Sequence, residues 1–172
     1  MINKKPKVLV VMGSDSDFPI VKECITTLGQ FDIEFSAEVC SAHRTPEQAA
    51  TLAKNAESNG YDLIIAAAGK AAHLPGVLAA FTPIPVIGLP IKSSTLDGMD
   101  SLLSIVQMPP GIPVATVAIN GGLNAALLAV QILSLKYDNQ RKLMSEYKLK
   151  MKDKVKVKNE NLKKLIEKEI IK

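Results

Sequence analysis

The chain has no tryptophan, only two histidines and two cysteines, and 4% aromatic residues in 172. With so few rings, Ala, Val, Ile and Leu must do the packing. Cys24 and Cys40 lie in apolar stretches without metal-ligand spacing, so both read as free, buried thiols rather than a disulfide or a zinc site. No run approaches the roughly 18 apolar residues of a membrane span. The basic N-terminus leads into an apolar run of only five residues, Val8 to Met12, too short for a secretory signal. These absences point to the cytoplasm and away from any membrane. The second and third glycines of a G-x-G-x-x-G fingerprint are missing, and so is a Gly-x-Ser-x-Gly elbow.

What is present is length enough for one core, with 47% apolar residues. The net charge of +4 is unevenly placed. From Lys136 onward there are 13 Lys/Arg against 6 Asp/Glu, whereas residues 1–135 carry 8 against 11. The basicity belongs to a tail, and the body is mildly acidic, which argues against nucleic acid as a partner. The expected organisation is a catalytic domain over 1–135 and a basic helical extension over 136–172. In that extension Met144, Tyr147, Met151, Val155, Leu162, Leu165 and Ile166 form an apolar stripe that requires a partner surface.

Short apolar runs alternate with helical periodicity. Strands are predicted at Lys7–Met12, Ile33–Cys40, Asp62–Ala67, Pro85–Leu89 and Val114–Ile119. Helices are predicted over 17–28, 46–59, 99–107 and 124–135, with an Ala-rich segment at 71–80. This alternation argues an α/β fold, a parallel sheet covered on both faces, flavodoxin- or Rossmann-like. In such a sheet ligands bind beyond the carboxyl ends of the strands. Five polar or glycine-rich loops fall there: 13–17, 41–46, 68–76, 90–95 and 120–122.

The loop Ser41-Ala-His-Arg-Thr-Pro46 is the richest in chemistry. Arg44, Ser41 and Thr45 can hold a phosphate beside a helix N-terminus, while His43 supplies an imidazole for proton transfer. The same string is also an ordinary helix start, with Thr45 as N-cap and Pro46 at the first position. Gly13-Ser-Asp-Ser-Asp17 reads either as capping by Ser14 or Ser16 with Asp17 in the first turn, or as a ribose site in which a carboxylate accepts from hydroxyls. Both histidines, His43 and His73, fall in ligand-side loops, which suits acid–base work or an orienting hydrogen bond better than a metal.

Read together and in order, VMGSDSD, SAHRTPE, KAAHLPGVLAA, DSLLSIVQMPPGIPVATVAI and NAALLAVQIL resemble the N5-carboxyaminoimidazole ribonucleotide mutase family (PurE, class I type) over about residues 7–135. The resemblance implies a flavodoxin-like fold assembled as a homo-octamer, with the C-terminal helix packed on a neighbouring subunit. It implies a small-molecule ribonucleotide substrate, whose carboxylate moves from an exocyclic nitrogen to a ring carbon without metal, ATP or organic cofactor. It also implies residue roles: His43 as general acid/base, Arg44 on phosphate with Ser41 and Ser16 as hydroxyl partners, and Ser14 and Asp17 on substrate. The loop Ala72–Gly76, with His73 and Leu74, closes over the imidazole, and the backbone at Ala68 and Gly69 lines the migrating carboxylate. A related class that carboxylates free aminoimidazole ribonucleotide with carbon dioxide generally lacks AHLPG, so its presence favours the mutase. One departure stands out. Many members carry Gly-Gly where this chain has Gly69-Lys70, and Lys70 is either a surface residue at a helix start or a second cation near the substrate.

Overall fold

Alternate residues of the central strands enter two different cores, which is why these runs are apolar on both sides. The computed structural model describes residues 5–170. Its elements follow one another as β1 (Lys7–Met12), α1 (Phe18–Gln30), β2 (Glu34–Val39), α2 (Pro46–Ala56), β3 (Leu63–Gly69), α3 (Leu74–Ala79), β4 (Val86–Ile91), α4 (Met99–Val106), β5 (Ala115–Thr116), α5 (Gly122–Leu133) and α6 (Asp138–Ile170). The five strands pair in parallel in the order β2-β1-β3-β4-β5. That is the flavodoxin-like doubly wound order.

Val8, Val10, Leu63, Ile65, Ile87 and Leu89 face α1 and α5, where Val21, Cys24, Leu28, Ala126 and Val130 complete one core. Leu9, Val11, Ile64 and Ala66 face the other way, against Ala49 and Ala53 of α2, Leu74 and Leu78 of α3, and Ile105 of α4. Small residues set the layer spacing. A Cβ on Gly88 of β4 would overlap Ile105 Cγ2, so α4 lies directly on that strand. Both cysteines are free and buried, and desolvation, then Glu23, pushes the Cys24 thiol up to about 12. It packs and does not react.

The elements lie within two residues of their predicted bounds, with three larger differences. Helix α2 stops at Ala56, and within 71–80 only Leu74–Ala79 is helical. The predicted strand 114–119 shrinks to Ala115–Thr116. Val117 N still donates to Gly88 O (3.2 Å) and Asn120 N to Pro90 O (2.8 Å), so the chain keeps running beside β4. Pro90, however, has no N–H to return on that side, and the ladder ends.

The tail is a single helix, α6, and its first turns pack on its own domain. Gln140 is buried and donates through Nε2 to the carbonyl of Phe31 (3.1 Å). Met144 is buried beside α5, and Tyr147 lies against the Phe31 ring, with centroids 5.6 Å apart. Asp62, just ahead of β3, fixes the helix entry by accepting from Lys136 Nζ (2.8 Å), Tyr137 Oη (3.0 Å) and Lys7 N (3.1 Å). Beyond residue 150 every described residue of α6 is exposed, including Met151, Val155, Leu162, Leu165 and Ile166.

Candidate active site

The carboxyl ends of β1 to β4 open into one cleft of about 660 Å³, a size suited to a nucleotide. Ser14, Ser16, Asp17, Ser41, His43, Arg44, Ala68, Gly69, His73 and Leu74 all line it. These ten nominated residues are therefore in one place, whereas Thr45, offered as a third phosphate partner, is not among the lining. Lys70, Lys92 and Ser93 line it too. Lys92 and Ser93 were legible only as part of a polar loop, since nothing in 90–95 carries a motif. The fifth loop is not among the lining. Asn120 instead accepts from Lys92 N through Oδ1 (2.8 Å) and braces the fourth loop from behind.

After β1 the chain forms a 3-10 turn, Asp15–Asp17, closed by a capping box. Ser14 Oγ accepts from Ser16 N (3.3 Å) and Ser16 Oγ (2.9 Å), while Asp17 Oδ2 accepts from Ser14 N (3.2 Å). Capping is thus real, yet the residues that cap also face the cleft. Asp17 is only 7% exposed, and desolvation raises its carboxyl above the usual range against the hydrogen bonds from Ser14 and Ser16.

The loop after β2 is held by Thr45, though not as the helix cap that its position suggested. Thr45 makes no side-chain cap bond. Its Oγ1 donates to Ser41 O (3.0 Å) and accepts from Ser41 N (3.1 Å), and Thr45 N also reaches Ser41 O (2.8 Å). This closed ring presents His43 and Arg44 outward, both exposed. Arg44 Nη2 makes only a long contact, 3.5 Å, to Gly13 O. Four of its five N–H donors are left for a ligand.

The loop after β3 turns sharply, with His73 N on Ala71 O (2.8 Å), and delivers His73 to His43. His43 Nε2 lies 2.8 Å from His73 Nδ1, with the rings edge to face at 77°. One of these nitrogens must donate and the other accept, so the contact holds one proton. Two loops from neighbouring strands are thereby linked through a group that can pass a proton. Buried Leu74 supplies apolar floor beneath them. A hydrogen-bonded imidazole pair, a largely unpaired guanidinium and a buried carboxylate in one cleft equip it to bind a phosphorylated sugar and to move protons on it.

The AIR carboxylase family model matches residues 7–154. The N5-carboxyaminoimidazole ribonucleotide mutase of Pyrococcus abyssi is 59% identical over 147 residues, covering 86% of this chain and 84% of that protein. The protein of the same name from Thermotoga maritima is 51% identical over 166 residues, covering 96% and 97%. A crystal structure of Treponema denticola PurE superposes with a TM-score of 0.84 at 31% identity, covering 92% of this chain and 99% of that one.

Proposed function

The chain belongs to the AIR carboxylase family, and from that premise we propose that it is the mutase of de novo purine biosynthesis. It converts N5-carboxyaminoimidazole ribonucleotide into 4-carboxy-5-aminoimidazole ribonucleotide. What supports the mutase over a non-catalytic binder is the His43–His73 pair at the cleft, since a pure binder needs Arg44 but no imidazole beside it.

The reaction breaks the bond between the exocyclic nitrogen and the carboxyl carbon, leaving carbon dioxide and the enamine-like imidazole. It then joins that carbon dioxide to the ring carbon. One proton goes onto nitrogen and one leaves carbon, so an acid that becomes a base serves both halves and ends unchanged. His43 takes this role, and His73 orients it through the shared proton. Arg44, with Ser41 and Ser16, holds the phosphate; Ser14 and Asp17 hold the ribose. The backbone at Ala68 and Gly69 lines the migrating carboxylate. Ala71 and Leu74 present small apolar surface that keeps carbon dioxide in and water out.

The five exposed residues of the α6 stripe belong, on this reading, against a neighbouring subunit of a homo-octamer, and the protein works in the cytoplasm. Among the described residues no helix is long and apolar enough to cross a membrane. The deciding experiment incubates purified protein with each carboxylated isomer, without ATP. Rapid interconversion is the expected result. Activity only with free aminoimidazole ribonucleotide plus carbon dioxide would make it the direct carboxylase instead.

A further inference from the structure

Lys70 occupies a backbone conformation that disfavours a side chain, at φ +55°. It is not at a helix start: α3 begins four residues later, at Leu74. Its side chain is exposed and lines the cleft. Lys92, the neighbouring lysine, is engaged by Asp97 at 2.9 Å, whereas among the described residues no carboxylate pairs with Lys70. A cation without an acid partner, kept on a left-handed residue at the mouth of a site, is the kind of outlier that function explains.

The chemistry of the ligand supplies what is missing. On the mutase reading, on which this inference rests, the ribonucleotide carries two separate anions, a phosphate and a carboxylate. The two loops joined by His43 and His73 carry one unpaired cation each, Arg44 next to His43 and Lys70 three residues before His73. Lys70 directly follows Gly69, the backbone assigned above to the carboxylate. We propose that Lys70 is a specificity residue, binding the substrate's carboxylate while Arg44 binds its phosphate.

Lys70→Gly suits the φ and removes the ammonium, and Lys70→Gln removes the charge alone. Each is measured for KM and kcat with N5-carboxyaminoimidazole ribonucleotide. Each is also measured for Kd with 5-aminoimidazole ribonucleotide, which shares the phosphate and lacks the carboxylate. In both variants KM is expected to rise about tenfold with kcat nearly unchanged, the effect of one exposed charge-assisted contact. The Kd of the uncarboxylated ribonucleotide is expected to move by less than about twofold, and the KM difference from wild type to shrink with added salt. Equal losses on both ligands would make Lys70 a phosphate or scaffold residue, and no loss on either would make it a surface lysine. Both overturn the proposal. Wild-type protein inert towards the carboxylated ribonucleotide would sink the mutase reading itself, and the Lys70 assignment with it.

Discussion

His43 Nε2 and His73 Nδ1 face each other at 2.8 Å, although thirty residues separate them in the chain. The contact joins the loops after β2 and β3, so that the two imidazoles come from different βα units. Neither histidine alone has a defined tautomer; together they have one shared proton to place.

Replacing His43 with Ala is expected to lower turnover by at least the 10²–10⁴-fold typical of general acid–base loss, because one group serves both half-reactions. Binding of the ribonucleotide, measured by calorimetry, should persist, since Arg44, Ser14 and Asp17 remain. His73→Ala should reduce turnover less, by loosening His43. Near-normal turnover in His43→Ala would remove it from the chemistry.

Arg44→Ala is expected to weaken ribonucleotide binding by about 1.5–3 kcal/mol, the value of a lost charge-assisted contact. The fold should tolerate the change, because the guanidinium's own protein contact is a single long one. A nucleoside without phosphate serves as the control. Its affinity should barely move, whereas an equal loss would indicate a structural arginine.

Asp17 carries a raised carboxyl pKa from desolvation, so the folded state holds that proton more tightly than the unfolded chain does. Its contribution to stability therefore declines as pH rises from the ordinary carboxylate pKa through the raised folded one, and stays low above it. Asp17→Asn keeps an oxygen for Ser14 N and removes the charge. It should melt higher than wild type at pH 7 and bind ribonucleotide more weakly. A variant that melts lower at pH 7 would show the carboxylate to be structural.

The Asp62 anchor runs the opposite way. Burial pushes its carboxyl up, but the hydrogen bonds from Lys136, Lys7 and Tyr137 outweigh that and hold it below the usual range. Its stabilisation is present above the unfolded pKa and is lost as pH falls through the lowered folded one. Asp62→Asn is expected to cost about 1–2 kcal/mol at pH 7, and the gap to wild type should close in strong acid. Denaturant melts at both pH values provide the check.

Two truncations separate the halves of α6. Ending the chain at Leu135 removes Gln140, Met144 and Tyr147 from the domain's own core, a loss of roughly 3–5 kcal/mol. That protein is expected to aggregate. Ending it at Lys154 keeps those contacts and, among the described residues, removes only exposed ones, so the domain should stay folded while sedimentation shows a smaller assembly than the full chain. An unchanged assembly after the second cut would make the distal helix a solvated appendage.

The order of strands and helices was legible because a buried parallel strand needs a continuous apolar run, and Pro46 marks a helix start, whereas Gly29 falls inside α1 and Gly60 lies beyond the end of α2. Ten of the nominated site residues reach one cleft for a general reason: in a doubly wound sheet the loops after the strands share an edge. Local signals failed where a neighbouring element decides. Strand β5 is short because Pro90, on another strand, lacks the N–H that would extend it. Thr45 looks like a helix cap, yet its hydroxyl closes on Ser41. The α6 stripe reads as one surface, but Phe31 and α5 claim only its first two residues, Met144 and Tyr147. Lys70 looked ambiguous because its place depends on a left-handed turn that composition does not announce. The sequence by itself determined the elements, the edge and the chemistry available there, since these follow from periodicity and residue type. Only the tertiary structure decided which groups meet, His43 with His73 above all, because a 2.8 Å contact depends on the packing of two separate loops.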